Sequence, residues 1–305
     1  MADAAIEVRA LRKSYGDVEA VKGIDLTVRV GEVFALLGPN GAGKTTTVEI
    51  LEGFRDRSGG EARVLGQDPA TRDRRLRARI GIVLQSTGID PYLTVAETID
   101  LFRSYYATPR PVDEVIELVG LTEKRDTRVL KLSGGQQRRL DVGIALAGDP
   151  ELLFLDEPTT GFDPSARRNA WGVVKNLAEL GKTILLTTHY MDEAQVLADR
   201  VAVISAGVIV AEGDPASLGG RDTAATLVRF RLPPGQGDVP PSLAEGVSTD
   251  DGRVELRTTD PTRTLYELTR WAVERGVVLE GLDVTRPTLE DVYLELTGGE
   301  AGHEG

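Results

Sequence analysis

Apolar residues in the first 220 positions occur in short runs, separated by stretches with helical periodicity. Four of the runs are leucine-rich or β-branched and almost continuously hydrophobic: "EVFALLG", "IGIVLQ", "ELLFLDEP" and "KTILLTTH". Strands buried on both faces have this pattern, because helices cover both sides of a parallel sheet. The alternation therefore predicts an α/β domain with a largely parallel sheet over residues 1–220.

Two segments depart from this alternation. Between Gln85 and Asp141, apolar residues recur mainly at helical spacing, which predicts a helical subdomain over about residues 86–141, inserted in the α/β core. After a turn-rich stretch, residues 221–305 contain two strand-like runs, "TLVRFRL" and "RVELRTT". A helix-like run, "PTRTLYELTRWAVERG", and the closing "PTLEDVYLELTGG" complete them. These residues are predicted to form a small C-terminal α+β domain.

Composition narrows the classes of partner. The chain has no cysteine, which excludes disulfides and cysteine-based zinc sites. Its net charge is −12, and residues 221–305 alone carry 16 acidic against 9 basic side chains. A surface that follows a phosphate backbone would be basic, so no nucleic acid partner is expected. The longest apolar stretch, 201–211, is far below the ~20 residues that span a bilayer, so any membrane role requires another chain.

The first chemical motif is "GPNGAGKT", which fits G-x-x-x-x-G-K-[ST] between a predicted strand and a predicted helix. In such a loop, glycines let backbone amides approach phosphate oxygens, the lysine reaches the β and γ phosphates, and the threonine hydroxyl binds Mg²⁺. The alternative is a chance glycine-rich turn, which the complete motif and its flanking elements disfavour. The candidate nucleotide-binding residues here are Gly38, Asn40, Gly41, Gly43, Lys44, Thr45 and Thr46.

Two further strand ends carry candidate catalytic groups. In "LLFLDEP", Asp156 is predicted to hold Mg²⁺ and Glu157 to polarise the attacking water. Taken alone, the pair would be read as a solvated acidic strand end, but the phosphate loop reverses that preference. His189 closes "TILLTTH", where strand ends of such a sheet converge on the nucleotide. Its alternative is a capping or core histidine.

A second stretch also has features of a phosphate site. "KLSGGQQRRLDVGIALA" places a Ser-Gly-Gly turn directly before an amphipathic helix. Such a turn is predicted to leave the first amides of the helix unpaired and directed outward, where the helix dipole favours negative charge. The chain therefore has two candidate phosphate cradles.

Taken together, the phosphate loop, "LSGGQ", "LLFLDE" and "TTH" resemble, in order and spacing, the ATP-binding subunits of ABC transporters. The narrower resemblance is to bacterial daunorubicin-resistance type exporters, through "GIDPYLTVAETIDLF", "LTTHYMDEAQVLADRVAVISAGVIVAEG" and "PTLEDVYLELTG". The resemblance implies a P-loop NTPase fold. It also implies roles for four residues: adenine stacking by Tyr15, Mg²⁺ and water contact by Gln85, a dimer-seam position for Asp163 and γ-phosphate contact by His189.

The resemblance also explains the two cradles. In that family, two subunits pair head to tail, so that Ser133, Gly135 and Gln136 of one subunit close over ATP bound at the phosphate loop of the other. It implies an ATPase that uses ATP and Mg²⁺, forms a homodimer on ATP binding, and powers export of a drug-like or amphiphilic compound through a separate permease. The expected location is cytoplasmic, peripheral on the inner face of the cell membrane.

Two rival functions come from other classes. A soluble ABC ATPase acting on ribosomes or DNA usually carries two cassettes in one chain or long coiled-coil insertions, and this chain has neither. A P-loop kinase of a small molecule does not account for "LSGGQ". The transporter subunit therefore remains the leading interpretation.

Overall fold

The computed structural model describes residues 3–83, 88–218, 225–232, 239–240, 243, 247–250, 253–285 and 293. Contacts within the chain divide it into two compact units, Met1–Pro215 and Ala216–Gly305. The predicted domain boundary at residue 220 stays a prediction, because residues 219–224 lie outside the described residues.

The N-terminal unit begins with a small antiparallel sheet. Its first elements are β1 (Ala4–Tyr15), β2 (Val18–Arg29), β3 (Val33–Leu37), α1 (Lys44–Leu51) and β4 (Gly59–Val64). Strand β1 pairs antiparallel with both β2 and β4, giving the order β2-β1-β4. Strand β3 belongs instead to the larger sheet, so the phosphate loop and α1 lie along the chain between β2 and β4 of the small sheet.

A mostly helical segment follows, as the sequence predicts. Three elements come before it: a 3₁₀ turn (Pro69–Thr71), α2 (Arg74–Arg77) and β5 (Ile80–Val83). The segment itself comprises α3 (Val95–Arg103), α4 (Val112–Leu118), 3₁₀ turns at Thr122–Lys124 and Val129–Lys131, and α5 (Gly134–Leu146). Helix α3 begins with a capping box, in which Thr94 and Glu97 each bond the other's backbone amide. Its buried face, Val95, Thr98 and Ile99, has helical spacing.

The larger sheet contains all four strands predicted from the apolar runs. The remaining elements are β6 (Leu152–Asp156), α6 (Pro164–Glu179), β7 (Thr183–Thr188), α7 (Met191–Leu197), β8 (Arg200–Ser205) and β9 (Val208–Gly213). The strand order is β5-β6-β7-β3-β8-β9, parallel except for the antiparallel edge strand β9. Every residue of β3, β6 and β7 is buried, which explains their continuous hydrophobicity.

This topology determines where the site forms. Strands β6, β7 and β3 are neighbours, so their carboxyl ends lie side by side at one edge of the sheet. Ligands of open α/β sheets bind beyond the carboxyl ends of the strands. The loops that follow Leu37, Asp156 and Thr188 therefore meet at the same place.

The C-terminal unit contains the expected α+β elements and two strands that the sequence did not predict. Its elements are β10 (Thr226–Arg231), β11 (Val247–Asp250), β12 (Arg253–Thr258), α8 (Pro261–Arg275) and β13 (Glu280–Thr285), with antiparallel order β11-β12-β10-β13. Strand β13 was missed because five of its six residues are exposed and it lacks an apolar run; pairing with β10 defines it. Leu268 of α8 is fully buried in the core of this unit.

The last run that the sequence predicts in this unit is described at one residue. The closing run "PTLEDVYLELTGG" lies outside the described residues except for Tyr293, which is helical and buried. Among the described residues, the structure contains no helix with the length and apolarity needed to cross a bilayer.

Candidate nucleotide-binding site

The phosphate loop after β3 is held in a conformation that requires glycine. The amide of Gly38 donates to Thr188 O (3.2 Å), which ties the loop to the end of β7. A Cβ atom at Gly38 would lie 2.3 Å from Ile204 O, and one at Gly43 would lie 2.6 Å from Ala20 O. Gly43 also has a φ of +105°, which side chains rarely tolerate. The loop backbone is therefore packed directly against its surroundings.

Helix α1 begins at Lys44, with an open amino terminus. Gly43, its N-cap, contributes no side-chain hydrogen bond, and Thr47 donates to Gly43 O (3.0 Å). The amides of Lys44, Thr45 and Thr46 precede this first helical bond, so the helix itself gives them no acceptor. An amino terminus of this kind favours anions through its free amides and the helix dipole. Thr45 is exposed at the start of the helix.

Lys44 is buried beneath this loop and faces a carboxylate. Its Nζ donates to Gly38 O (2.8 Å) and Pro39 O (3.1 Å), and it lies 3.4 Å from Glu157 Oε1. Only 4% of the side chain is exposed. Burial lowers the pKa of Lys44, and the nearby Glu157 and Asp156 oppose that shift without cancelling it. The ammonium group thus sits where additional negative charge would be strongly stabilising.

Glu157 occupies a strained position at the end of β6. Its φ is +45°, and its amide donates to both Thr187 O (3.2 Å) and Thr187 Oγ1 (3.0 Å). Strain of this kind persists where surrounding bonds impose it, often at functional sites. Thr160 Oγ1 donates to Oε2 (3.1 Å), and His189 Nδ1 lies 3.5 Å from Oε1. Burial raises the pKa of Glu157, but the larger combined effect of Lys44, Thr160 and His189 lowers it below its ordinary value. The side chain is therefore a carboxylate at neutral pH.

Asp156 is more deeply buried than Glu157. Its Oδ1 accepts from Thr187 Oγ1 at 2.5 Å. Burial raises the pKa of Asp156, and neighbouring Glu157 adds to the shift, while Thr187, Lys44 and Arg138 oppose it. A bound cation would stabilise an ionised carboxylate at this position, and carboxylate oxygen is a ligand that Mg²⁺ prefers.

The "LSGGQ" turn differs from its prediction in one respect. Ser133 caps α5: its Oγ accepts from the Gln136 amide (3.3 Å), and Gln136 Oε1 accepts from the Ser133 amide (3.0 Å). The amide of Gln136 is therefore paired and not free, because the two side chains form a reciprocal capping box. The sequence prediction that the first amides of this helix are unpaired was wrong for Gln136.

The amino termini of α5 and α6 are adjacent. A Cβ atom at Gly135 would lie 3.4 Å from Cβ of Ala166 in the first turn of α6. Asp163 caps α6, with Oδ1 accepting from the amides of Ser165 (2.8 Å) and Ala166 (2.9 Å). Ser133, Gly135, Asp163 and Glu157 line a groove of about 860 Å³ between these helix ends. The groove connects the residues of the second cradle with the candidate base.

The other predicted residues lie in different settings. Tyr15 is 41% exposed at the end of β1, with Lys13 Nζ 5.0 Å and Arg55 Cζ 5.2 Å from its ring centroid. Asn40 and Gly41 are exposed at the tip of the phosphate loop. Gln85 lies outside the described residues.

Sequence reasoning missed two side chains that support the site. Thr187 bonds both carboxylate-bearing residues, but inside the apolar run of β7 nothing distinguishes it. Arg138 is buried, and its guanidinium donates to Asp156 O (3.0 Å) and Pro158 O (3.3 Å). A signal for Arg138 was available: Asp141 follows three residues later, an opposite-charge spacing that favours contact on a helix, and the two charged groups lie 3.8 Å apart.

Comparison with known proteins identifies the family. A family model described as "ABC transporter" matches residues 21–160, and one described as "ABC transporter domain-containing protein-like, C-terminal domain" matches residues 226–288. The daunorubicin resistance ATP-binding protein DrrA2 of Streptomyces coeruleorubidus is 40% identical, over 96% of this chain and 95% of that protein. The chain belongs to the ATP-binding subunits of ABC transporters. The Nod factor export ATP-binding protein I of Rhizobium meliloti (strain 1021) is also 40% identical, over 97% of this chain and 89% of the relative.

Solved structures support the same assignment for the fold. CbiO1 from Clostridium perfringens, part of the ABC transporter complex CbiONQ, has a TM-score of 0.64 and 30% identity, covering 70% of this chain and 90% of that one. A dimeric post-hydrolysis structure of the ATP-binding cassette MJ0796, bound to ADP and Pi, has a TM-score of 0.61 and 25% identity, covering 68% and 98%. The predicted P-loop NTPase fold is confirmed. This ABC subunit is an ATPase, and daunorubicin-resistance proteins are among its relatives, as the sequence predicts.

Proposed function

We propose that this ABC ATPase powers export of a drug-like or amphiphilic compound through a separate membrane permease. The names of two relatives, for daunorubicin resistance and for Nod factor export, support this assignment. Both relatives match nearly the whole chain, so the C-terminal unit is included in the likeness. These matches favour a transporter subunit over the rival ATPase acting on ribosomes or DNA.

The observation that carries the proposed chemistry is the contact of Lys44 and His189 with Glu157 at the carboxyl edge of the sheet. In this proposal, the phosphate loop, the first amides of α1 and Lys44 hold the triphosphate. Glu157, a carboxylate, orients a water molecule and accepts its proton as the water oxygen bonds to the γ phosphorus. The bond from that phosphorus to the β–γ bridging oxygen breaks, and ADP leaves. His189 contacts the γ phosphate, and Tyr15 stacks on adenine.

The residues present fit a magnesium ion. Thr45 and Asp156 supply the hydroxyl and carboxylate oxygens that Mg²⁺ prefers, and Gln85 is proposed as a third contact. Within the part of the chain that the structure describes, no group of three or more His, Cys, Asp or Glu side chains is placed to hold a metal. That paucity suits Mg²⁺, which is usually held by one or two carboxylates together with phosphate oxygens and waters. When bound, Mg²⁺ would neutralise phosphate charge.

We further propose that two copies of the chain pair head to tail on ATP binding. Ser133, Gly135 and Gln136 then close over ATP on the partner's phosphate loop, with Asp163 at the seam. The dimeric ADP- and Pi-bound cassette, which is 25% identical, supports such an assembly. Closure would place further donors around the triphosphate and exclude water, and hydrolysis depends on both.

A membrane partner is supported by the surface of the helical segment. Leu101 and Tyr105, one turn apart near the end of α3, are 46% and 75% exposed. Tyr92 and Leu130 are also exposed, and the Leu130 amide donates to Pro91 O beside Tyr92 (3.0 Å). Contiguous patches of exposed apolar side chains, unlike single ones, often mark surfaces that bind partners. The proposed location is cytoplasmic, peripheral on the inner face of the cell membrane.

The proposed chemistry is tested with Glu157→Gln, Lys44→Ala and, as a matched control, Glu179→Gln at an exposed position in α6. Glu157→Gln should bind MgATP but hydrolyse it at least about 100-fold more slowly and accumulate as an ATP-bound dimer in gel filtration. Lys44→Ala should instead weaken ATP binding, because it removes the buried cation. Glu179→Gln should behave as wild type. Wild-type phosphate release by Glu157→Gln would remove Glu157 from its proposed role.

A further inference from the structure

His189, for which we propose a phosphate contact, belongs to a stack of three side chains with Tyr190 and Arg167. The ring centroids of His189 and Tyr190 are 4.0 Å apart, with an angle of 41° between the ring planes. The Cζ atom of Arg167 lies 4.1 Å from the same Tyr190 centroid. One aromatic ring thus contacts both the imidazole and a guanidinium group, an arrangement in which a cation is attracted to the ring face.

Hydrogen bonding at Nδ1 does not fix the orientation of the imidazole among the described residues. His189 Nδ1 is buried without a hydrogen-bond partner among the described residues, and its 3.5 Å approach to Glu157 lacks hydrogen-bond geometry. An imidazole that accepts no fixed bond can rotate about its side-chain torsions. The ring contact with Tyr190 is therefore a contact that can hold the imidazole toward Glu157.

Arg167 connects this stack to helix α6. It lies in the first turn of α6, where its amide donates to Asp163 O (2.9 Å). Its Nη1 lies 3.3 Å from Asp192 Oδ2, whereas its buried Nε has no hydrogen-bond partner among the described residues. The planar guanidinium is therefore held chiefly by the ring of Tyr190 and the carboxylate of Asp192.

The backbone that carries Tyr190 is itself anchored. The Tyr190 amide donates to Thr188 Oγ1 (2.9 Å). Three residues later, the fully buried Glu193 accepts from Thr159 Oγ1 (2.8 Å) and from Trp171 Nε1 of α6 (3.1 Å). Because hydrogen bonds anchor the backbone at Tyr190 and the side chain of Glu193 three residues later, the Tyr190 ring can provide a fixed surface for the imidazole.

We propose that Tyr190 and Arg167 are positioning residues for hydrolysis, holding the His189 ring in place through the Arg167–Tyr190–His189 stack. The inference rests on the proposed contact of His189 with the γ phosphate. It adds that the orientation of His189 is set from α6, the helix that Asp163 caps. Loss of the stack should slow the chemical step and leave ATP affinity unchanged, because neither positioning residue belongs to the phosphate loop.

The kinetic test compares four variants of the full chain. Tyr190→Leu should lower kcat by about tenfold or more, with KM and ATP affinity within about twofold of wild type. Tyr190→Phe keeps the ring and should retain wild-type kcat. Arg167→Lys keeps a cation near Asp192 but not the planar group, and should lower kcat less than Tyr190→Leu does. Tyr266→Leu, at an exposed tyrosine of α8, controls for tyrosine loss and should match wild type.

A spectroscopic readout separates positioning from general damage. The chain has two histidines, so a His303→Gln background leaves His189 as the source of the imidazole NMR signals. The Tyr190 ring should shift these signals through its ring current, and Tyr190→Leu should abolish the shift while Tyr190→Phe preserves it. Thermal melting checks the fold; if Tyr190→Leu does not fold, the rate of Arg167→Lys decides.

His189→Ala distinguishes the two levels of the argument. If it hydrolyses ATP at the wild-type rate, the proposed role of His189 fails and this inference fails with it. If His189→Ala is slow but Tyr190→Leu has wild-type kcat and imidazole signals, the stack inference alone is overturned. Equal losses of kcat and ATP affinity in Tyr190→Leu would also overturn it, since they indicate a structural role.

Discussion

At the scale of single residues, the two ends of the phosphate loop are constrained by backbone atoms of other strands. Gly43 combines a positive φ with a Cβ direction blocked by Ala20 O at 2.6 Å, and a carbonyl oxygen on the backbone cannot move aside like a flexible side chain. Gly66 has a comparable φ of +78° with open space around it. These two glycines allow strain and steric conflict to be measured separately.

We expect Gly66→Ala to lower the free energy of unfolding by about 1 kcal/mol, because only backbone strain is added. Gly43→Ala should cost more and should weaken ATP binding by at least about tenfold, since the start of α1 must shift away from Ala20. Chemical denaturation and equilibrium nucleotide binding measure the two effects. Wild-type ATP affinity in a folded Gly43→Ala protein would contradict the argument.

The sequence identifies the residues of the site better than their energetics. The motif spacing was enough to propose Lys44, Asp156 and Glu157 as one group, because strand ends in a parallel sheet converge. It gave no sign of the left-handed backbone of Glu157 or of the Thr187 bonds that impose it. Those features depend on the register between β6 and β7, and short apolar runs do not specify register.

At the scale of elements, local patterns predicted buried strands well and edge strands poorly. Strands β3, β6 and β7 were predictable because their burial produces continuous hydrophobicity. Strand β13 is defined by its pairing with β10. Its own sequence is mostly exposed and does not predict that pairing. The capping box of α5 was readable as Ser-x-x-Gln, yet the same residues were interpreted only as a phosphate cradle.

Helix α7 contains a buried carboxyl group whose ionisation should affect stability. Burial raises the pKa of Glu193 from its ordinary 4.5, and bonds from Thr188, Thr159 and Trp171 only partly offset this. The charges of Arg167 and Arg138 are also close enough to act on it. Because the folded protein holds the proton more tightly than the unfolded chain, the stability from the neutral group is complete below about pH 4.5 and is lost as the pH rises through the folded pKa.

Glu193→Gln should therefore lose less stability than wild type as the pH rises above about 4.5, since it keeps an acceptor for Thr159 and Trp171 without a charge. Glu193→Ala removes the acceptor of Thr159 and Trp171 and should cost about 1–3 kcal/mol for each of these two donors. Denaturation curves across this pH range, with exposed Glu179→Gln as control, measure the effect. Parallel pH profiles for wild type and Glu193→Gln would contradict it.

At the scale of the whole molecule, the likeness to transporter subunits extends along both units, while the residues proposed for the chemistry lie in one. The relatives at 40% identity cover at least 96% of the chain, whereas the described solved structures cover about 70%. The sequence shows that residues 221–305 are acidic and carry no phosphate-binding motif, but neither feature predicts what this part of the chain does. A substrate likewise cannot be read from an ATPase fold, because function is determined by the site and, in a transporter, by its partners.

The two cradles within one chain make the head-to-tail dimer testable by mixing. In the proposed dimer, Lys44→Ala would damage the phosphate loop of its own subunit, and Ser133→Arg would damage the half-site offered to the partner. In a dimer of one subunit of each kind, both defects fall in one composite site and the other site is intact. If subunits exchange freely and the sites act independently, the mixture should recover about a quarter of wild-type ATPase activity, because about half of the dimers are mixed and each has one good site.

The matched control mixes Lys44→Ala with Glu157→Gln. Both residues belong to the half-site that contains the phosphate loop of their own subunit. In that heterodimer each site carries one defect, so phosphate release should stay at the level of the separate proteins. Melting curves must first show that Ser133→Arg folds, since it also loses the cap of α5. Recovery in the first mixture and not in the second would support shared sites. Full activity of Ser133→Arg by itself would show that each phosphate loop works without its partner's Ser-Gly-Gly turn. Equal recovery in both mixtures would contradict the assignment of Lys44 and Glu157 to the same half of the composite site.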